Sequence, residues 1–480
     1  MTRPPPRTIH FVSLGCPKNR VDTEVMLGVS DRAGYQLVAE PSDAEVIVVN
    51  TCGFVDAAKQ ESIDTILGLS DFKQNGRCKK LVVAGCLSQR YPEALARDMP
   101  EVDHFLGSSD MLKLETVLRA DAAHPTERVL VGNPADYVYR QGDPRKLSSA
   151  AHSVYVKIAE GCSRSCSFCA IPSFRGKQRS RSIADVVHEV QELCATGSVE
   201  INLISQDTIS YGRDLTPRTD LPALVRALLE VKELRWLRLF YLYPEKLDEE
   251  LVELLAAGGK LVPYLDMPFQ HASDRMLKLM RRGYDARRQR ELIERLRLAV
   301  PNLFIRSAFI VGHPGETDQD FTELLELLRF AELDHVGVFR YSHEDGTHSG
   351  SMQDLIDDQI IDRRANALMK AQRAISKQRL RAMIGREVDV LIEGESDESE
   401  HLLVGRHAGQ APEIDGAVHL VNGSPKPGEI RKARITHAAD YDLVGDLSLG
   451  TDDPLRPNAP NAPKAPKAKG TKGTRLRVVS

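Results

Sequence analysis

Short apolar runs alternate with helix-like stretches over the first third of the chain. Residues 11–14, 46–49 and 81–85 are short and almost wholly apolar, as strands buried on both faces of a sheet are. The intervening stretches predict helices over residues 19–34, 55–69 and 89–97. Repeated strand–turn–helix units predict an N-terminal α/β domain with a parallel sheet over residues 8–140.

The same alternation continues through the middle of the chain. Six strand–helix repeats can be placed between residues 154 and 339, within a domain that we bound at residues 150–375. This pattern predicts a partial (β/α)6 barrel. Its active site is expected at the carboxyl ends of the strands.

The pattern changes again near the C-terminus. Residues 360–380 predict a long basic helix, and the stretches VDVLIEG, HLLVGRHA, AVHLV and EIRKARITHA then predict short strands of a small β-barrel over residues 376–446. Residues 450–480 are rich in Pro, Ala and Lys, which predicts a disordered basic tail. We favour a solubilising role for this tail over contact with RNA.

Composition narrows the class of protein. Of 480 residues 42% are hydrophobic and 28% charged, and the net charge of −4 argues against a molecule that binds nucleic acid over its whole surface. The start, MTRPPPRTIH, lacks the apolar segment of a secretion signal, and no run is long enough to span a membrane. We therefore expect a cytoplasmic protein, in which eight sparse cysteines indicate metal binding or catalysis.

Three cysteines follow strand ends in the N-terminal domain: Cys16, Cys52 and Cys86. In parallel sheets ligands bind beyond the carboxyl ends of the strands, so we expect these thiols to lie along one edge. A free cysteine is often a small buried hydrophobe, which is how we interpret Cys78 and Cys194. Three equivalent positions favour a metal site, and at this point zinc and an iron–sulfur cluster both remain open.

A second group, Cys162, Cys166 and Cys169, has the spacing C-x3-C-x2-C directly after a predicted strand. Three thiolates can hold a cubane cluster and leave its fourth iron open, whereas structural zinc would need a fourth nearby ligand. This stretch, with Phe168 before the last cysteine, resembles the radical S-adenosylmethionine superfamily.

That resemblance suggests that Phe168 and further residues lie near the cofactor. Gly312 lies in FIVGHPGE, which resembles the element that passes the adenine of the cofactor in such enzymes. Ser205 and Gln206 follow the second barrel strand and are predicted to be cofactor-proximal. The basic stretch RGKQRSRS at residues 175–182 is interpreted as a solvated loop, with contact to substrate as the alternative.

The order of the three domains resembles the methylthiotransferases. The segments SLGCPKNRVDTEVMLG, VVNTCGFVDAAKQESID and VAGCLSQRYPEAL carry the resemblance, together with YLYPEKLDEELVELL, YLDMPFQHASDRML and FRYSHEDGT, and it extends over residues 8–445. It implies that Cys16, Cys52 and Cys86 hold a second [4Fe–4S] cluster, that S-adenosyl-L-methionine is the cofactor, and that the C-terminal barrel is a TRAM domain. No catalytic residue beyond the cluster ligands is assigned.

Within that family, LGCPKNRVDTE and FRYSHEDGT resemble the ribosomal-protein branch more than the transfer-RNA branch. The former implies addition of a methylthio group to the β-carbon of an aspartate in small-subunit ribosomal protein S-twelve, free or in the small ribosomal subunit. It also implies a sulfur donor and an electron donor such as flavodoxin or ferredoxin. A transfer-RNA adenosine methylthiotransferase is the alternative, and a non-catalytic iron–sulfur carrier is an alternative of another class.

The charge of the C-terminal domain favours a protein partner. From Arg381 to Asp446 there are seven basic and thirteen acidic residues, a balance that repels phosphates and attracts basic ribosomal proteins. We expect substrate docking at Glu395, Asp397, Glu398 and Glu400, although a segment this polar could simply be a solvated loop.

Overall fold

A computed structural model describes residues 7–120, 124–396, 399–449 and 478–479. The described residues form two compact units, one ending at Ala371 and the other beginning at Gln372, and Val478 and Val479 belong to the first unit. The predicted disordered tail at residues 450–480 lies outside the described residues, apart from Val478 and Val479. No helix within the described ranges is both long and apolar enough to cross a lipid bilayer.

The first unit begins with the predicted parallel sheet. Its strands are β1 (Thr8–Leu14), β2 (Gln36–Leu37), β3 (Val46–Thr51), β4 (Lys80–Gly85), β5 (His104–Leu106) and β6 (Val129–Leu130). Its helices are α1 (Pro17–Arg32), α2 (Asp56–Ser70), α3 (Phe72–Asn75), α4 (Cys86–Arg90), α5 (Pro92–Asp98) and α6 (Leu114–Arg119). The strand order is β2-β1-β3-β4-β5-β6, and β1, β3 and β4 are buried on both faces. Burial on both faces explains the continuous apolar runs in the sequence.

A second parallel sheet follows in the same unit. The strands of this region are β7 (Ser153–Lys157), β8 (Ala159–Glu160), β9 (Arg179–Ser180), β10 (Glu200–Ile204), β11 (Trp236–Leu239), β12 (Leu261–Asp266), β13 (Phe304–Val311) and β14 (His335–Arg340). Its helices are α7 (Ile171–Arg175), α8 (Ile183–Ala195), α9 (Leu221–Leu229), α10 (Glu249–Ala257), α11 (Asp274–Leu279), α12 (Ala286–Ala299) and α13 (Asp318–Ala331). Six strands pair in the chain order β7-β10-β11-β12-β13-β14, which confirms the predicted partial barrel.

The second unit is a small β-barrel, as predicted. Helix α14 (Asp358–Arg381) leads into it. Its strands are β15 (Glu387–Ser396), β16 (Ser399–His407), β17 (Val418–Val421), β18 (Ile430–Ala438) and β19 (Leu443–Asp446), and they close in the order β15-β16-β17-β19-β18. A final short strand, β20 (Val478–Val479), pairs with β1 in the first unit.

Candidate functional site

The ends of three neighbouring strands lie level in the N-terminal sheet. Ser13 of β1 pairs with Asn50 of β3, and Asn50 in turn pairs with Ala84 of β4. Cys16, Cys52 and Cys86 follow these positions by two or three residues. The register therefore puts the three thiols at one edge of the sheet, as the sequence predicts.

The loops that carry these cysteines touch one another. A Cβ placed on Gly15 would lie 2.8 Å from the Cβ of Cys52, and one on Gly53 would lie 2.9 Å from the backbone carbonyl of Cys86. Side chains in place of these glycines would separate the loops. The two glycines therefore allow the three cysteine loops to converge.

The side chain of Asn19 links two of these strand ends by hydrogen bonds. Its amide Nδ2 donates hydrogen bonds to the carbonyl oxygens of Leu14 at 3.0 Å and Thr51 at 2.9 Å. The side chain of Asn50 donates to the carbonyl oxygen of Asn19 at 2.8 Å. Because all these groups are buried, the bonds satisfy backbone acceptors that the strand ends would otherwise leave unpaired.

The second cysteine group lies in the loop between β8 and β9. The backbone N–H of Cys162 donates to the carbonyl oxygen of Gly176 at 3.0 Å, and that of Cys169 donates to Cys166 at 3.2 Å. Cys166 packs against a cluster that contains Tyr243 and Tyr284. The loop is therefore folded back on itself at the carboxyl end of the barrel strands.

The thiols of each group interact with one another. Burial, reinforced by the thiols of Cys86 and Cys16, raises the pKa of Cys52 to about 12. Burial also raises the pKa of Cys162 to about 11 and that of Cys169 to about 12, and Cys166 contributes to both shifts. Metal binding at either group would displace these protons, since thiolate is the ligand form.

Hydrogen-bond donors point at the sulfur atoms of both groups. Arg175 donates to Sγ of Cys86 from Nε at 3.2 Å and from Nη2 at 3.0 Å. Arg282 donates to Sγ of Cys166 at 3.3 Å, and the backbone N–H of Arg164 approaches Sγ of Cys162 at 3.5 Å. Donors of this kind orient ligating sulfur and stabilise its anionic form.

The solvated-loop prediction for residues 175–182 is wrong at Arg175 and Arg181. Arg175 is only 2% exposed, and its guanidinium bonds Asp22 at 2.9 Å and Glu160 at 3.1 Å. Arg181 is also buried and pairs with Glu189 at 2.5 Å. These charges are buried because carboxylates from neighbouring elements compensate them, which no local pattern discloses.

Lys157 completes a network of four buried charges, whose other members are Arg175, Asp22 and Glu160. Its ammonium pairs with Asp22, and also with Glu160 at 2.7 Å. Burial alone would raise the pKa of Glu160, but Arg175 and Lys157 hold it well below its usual value. The network joins α1 of the N-terminal sheet to α7 and β8, which flank the second cysteine loop.

The residues predicted to be cofactor-proximal occupy different environments. Phe168 is half-buried in the cysteine loop, and Ser205 is buried with its Oγ 3.0 Å from Thr208 Oγ1. Gln206 donates to Glu160 at 2.7 Å, which connects it to the charge network. Gly312 has a φ of +79°, and a Cβ there would collide with Ile361 of α14, so helix packing already requires this glycine.

The residues predicted to dock substrate are described only in part. Glu395 is exposed near the end of β15. Asp397 and Glu398 lie outside the described residues, and Glu400 is described in β16 by its backbone alone. Their docking role stays a prediction.

Within the described ranges, no three His, Cys, Asp or Glu side chains are close enough to hold a single metal ion. Around one tetrahedral zinc all ligands contact the same atom, whereas in a cubane each thiolate binds a different iron. Ligands of a cubane therefore stand further apart. The donors, all sulfur and three to a group, suit a four-iron cluster better than a single ion.

Sequence patterns missed the charged residues of this site. Lys18 and Asp22 lie in SLGCPKNRVDTEVMLG and Arg175 lies in RGKQRSRS, but the sequence pattern predicts no role in the site for any of them. Their closeness in sequence to Cys16 and Cys169 was the available signal. Their burial and their partners depend on contacts between the two sheets.

Three family models match the chain. Residues 8–107 match the uncharacterized protein family UPF0004, residues 156–328 the radical SAM superfamily, and residues 384–447 the TRAM domain.

Curated relatives match almost the whole chain. A protein of Sorangium cellulosum, described as ribosomal protein uS12 methylthiotransferase RimO, is 58% identical over 92% of this chain and 91% of its own length. Proteins with the same description from Myxococcus xanthus and Geobacter sulfurreducens are 46% and 45% identical. Each alignment covers 92% of this chain, and 91% and 98% of the respective relative.

Among solved structures, the radical S-adenosylmethionine methyltransferase TsrM from Kitasatospora setae has a TM-score of 0.52 at 18% identity. The match covers 72% of this chain and 77% of that one. At this identity the likeness concerns the fold alone.

Proposed function

Because this chain belongs to the RimO family of methylthiotransferases within the radical S-adenosylmethionine superfamily, we propose that it adds a methylthio group to the β-carbon of an aspartate in ribosomal protein uS12. It is an enzyme that transfers sulfur-containing groups. The observation that carries methylthio transfer is the pairing of two three-cysteine groups, joined through Arg175, within one compact unit, while the choice of uS12 is supported by the curated relatives.

Each group of three cysteines holds one [4Fe–4S] cluster in this proposal. Cys162, Cys166 and Cys169 would hold the cluster that takes S-adenosyl-L-methionine, while Cys16, Cys52 and Cys86 would hold an auxiliary cluster. The fit rests on three sulfur ligands per group and on the donors that reach Cys86, Cys162 and Cys166. When bound, the open cluster and its cofactor supply reductive cleavage of a carbon–sulfur bond and hence a radical that abstracts hydrogen.

The residues of the chain itself orient and shield this chemistry. Arg282 holds Cys166 while its own Nη2 donates to the carbonyl oxygen of Pro268 at 2.8 Å, so the guanidinium is fixed at both ends. Tyr243 and Tyr284 pack edge-on at 6.0 Å beside Cys166 and exclude water from that side. Shielding matters because a reactive radical is otherwise quenched by solvent or protein.

Arg175 links the two edges. It follows Cys169 by six residues on α7, yet its guanidinium donates to Cys86 and to Asn19 at 2.6 Å. A shift of either edge would break these bonds inside a buried network. In this proposal Arg175 therefore fixes the position of Cys16, Cys52 and Cys86 relative to the cysteine loop of the barrel.

The partners follow from the same proposal. The protein substrate is uS12, free or in the small ribosomal subunit. The reductant is a small redox protein such as flavodoxin or ferredoxin, and a separate sulfur donor replenishes the transferred atom.

Reconstitution under anaerobic conditions tests the proposal. The reduced enzyme should bind about eight irons per chain, form 5′-deoxyadenosine and add a methylthio group to purified uS12, detected by mass spectrometry. A variant with alanine at Cys162, Cys166 and Cys169 should retain about four irons and form no 5′-deoxyadenosine. Modified transfer-RNA nucleosides with unmodified uS12 would favour the transfer-RNA alternative, and clusters without cofactor cleavage would favour a carrier.

A further inference from the structure

Lys18 is a buried cation at the junction between the two sheets. It lies in the first turn of α1, two residues after Cys16, and is 8% exposed. Its Nζ lies 3.0 Å from the centroid of the Tyr241 ring, which follows β11 at the carboxyl end of the barrel strands. The side chain therefore reaches from the N-terminal sheet to the mouth of the barrel.

Two other buried cations in this region have acidic partners: Arg175 and Lys157 both pair with Asp22 and Glu160. The Lys18 ammonium makes no hydrogen bond and no ion pair with any residue in the described ranges, and the Tyr241 ring is its close contact. An isolated buried ammonium is unfavourable, since its desolvation is not compensated. The position is therefore suited to an anion that the chain itself does not supply.

Cys16 and then Asp266, at the end of β12, are the acidic groups that act most strongly on Lys18. The Asp266 carboxylate is already engaged, since its Oδ1 accepts from Arg306 at 3.2 Å and its Oδ2 accepts from the backbone N–H of Tyr241 at 3.2 Å. Tyr241 itself has a φ of +57°, a conformation that a residue with a side chain rarely adopts. Such residues persist where their surroundings fix them, often at ligand sites.

Two of the six candidate ligand sulfurs receive hydrogen bonds from other cations. Arg175 donates to Cys86 and Arg282 to Cys166, whereas Lys18 donates to no sulfur in the described residues. A counter-ion of a cluster would be expected to make such a bond, as those two arginines do. The position of Nζ over a barrel residue instead faces the region where a barrel enzyme holds its substrate.

We infer that Lys18 binds the side-chain carboxylate of the substrate aspartate, an inference that rests on the proposed function. The reacting β-carbon is bonded directly to that carboxylate, so a cation that holds the carboxylate fixes the distance of the carbon from the radical source. A nucleobase has no carboxylate. Lys18 is therefore a substrate-binding residue that also selects an aspartate over an adenine.

A double-mutant cycle on the reconstituted full-length enzyme tests this inference. The enzyme variants are Lys18→Met and Lys18→Gln, and the substrates are uS12 and a uS12 variant with asparagine at the target position. Removing the buried charge should lower kcat/KM for uS12 about tenfold to a hundredfold and raise the ratio of 5′-deoxyadenosine to methylthiolated product. Both variants should have similar kcat/KM values for the two substrates, whereas the native enzyme should have a higher kcat/KM for the substrate with aspartate.

Three controls separate the possible outcomes. Lys18→Arg should recover part of the preference for aspartate, and Lys79→Met, at a lysine side chain that is 73% exposed, should change nothing. Iron content should stay at the native value in every variant. Loss of iron in Lys18→Met and Lys18→Gln would overturn the inference. Additive effects of the enzyme and substrate changes on the logarithm of kcat/KM would also overturn it. Absence of uS12 modification by the native enzyme would instead overturn the proposed function.

Discussion

At the scale of single residues, burial does not distinguish a candidate ligand from a structural cysteine. Cys86 and Cys78 are both 6% exposed. Cys78 packs in an apolar core, and its thiol donates to the carbonyl oxygen of Lys80 at 3.4 Å. Cys86 lies among other thiols and receives two hydrogen bonds from Arg175. The surroundings of the sulfur, rather than its burial, mark the site.

Separate replacement of Cys86 and Cys78 distinguishes a cluster ligand from a structural cysteine. Cys86→Ala should reduce bound iron from about eight to about four per chain, because two thiolates retain a cubane poorly. The barrel group should survive, so 5′-deoxyadenosine should still form while methylthiolation of uS12 stops. Iron analysis and mass spectrometry of uS12 measure both quantities.

Cys78→Ala is the matched control. It removes an equally buried thiol and should keep the full iron content and transfer activity, at a cost of about 1 kcal/mol in stability. Full transfer by Cys86→Ala would contradict the assignment of the auxiliary site.

At the scale of elements, the second cysteine loop depends on a close backbone crossing. Gly161 has a φ of +80°, and a Cβ there would lie 2.6 Å from the carbonyl oxygen of Gly176 and 2.8 Å from that of Arg175. The loop leaves β8 at Gly161 and returns through α7 to β9. Only glycine allows this return to pass so close to the start of the loop.

Gly161→Ala should therefore displace the loop. Its backbone must move as well as adopt a left-handed conformation, so we expect loss of about half the bound iron and at least a tenfold slower formation of 5′-deoxyadenosine. Gly197→Ala is the comparison, since its φ is +112° but no atom lies within 4 Å of the added Cβ. That variant should cost only about 1–2 kcal/mol of stability. Equal iron content in the two variants would contradict this account.

At the scale of the whole molecule, acidic charge is concentrated in the small barrel. Three of its seven cations pair within it: Arg406 with Glu393 at 2.6 Å, Arg431 with Glu429 at 2.8 Å, and Lys432 with Asp389 at 3.2 Å. Each pair uses one carboxylate as well as one cation, so the excess of thirteen acidic over seven basic residues remains to attract a partner. A surface of this sign favours a basic protein over a phosphate backbone.

Charge reversal tests whether that excess docks the substrate. Changing Glu395, Asp397, Glu398 and Glu400 to lysine should slow methylthiolation of uS12, most clearly at low ionic strength where screening is weak. Initial rates at several salt concentrations measure the effect.

The control reverses the same number of exposed carboxylates in the first unit. These are Asp98, Glu115, Glu249 and Glu291. The net charge changes equally, so a slower rate in the first variant alone would locate docking in the small barrel. Equal rates in both variants would remove the small barrel from substrate docking.

The strands, most helices and the shared edge of the first three cysteines are predictable from local patterns in the sequence. The apolar runs at residues 46–49 and 81–85 became β3 and β4, and the six strand–helix repeats became one parallel sheet. Local periodicity suffices there, because a strand buried on both faces must be apolar throughout. The placement of Cys16, Cys52 and Cys86 at one edge also followed, since the carboxyl ends of parallel strands meet at the same edge.

The charges that belong to the site depend on contacts between distant elements and are not predictable from local patterns. RGKQRSRS has the composition of a solvated loop, yet Arg175 is buried because Asp22 and Glu160 converge on it from other elements. Lys18 is likewise an ordinary helix residue in sequence, and only the packing of α1 against the barrel encloses it. A buried charge is compensated by residues distant in the chain, so its partners are fixed by the fold and not by the local pattern.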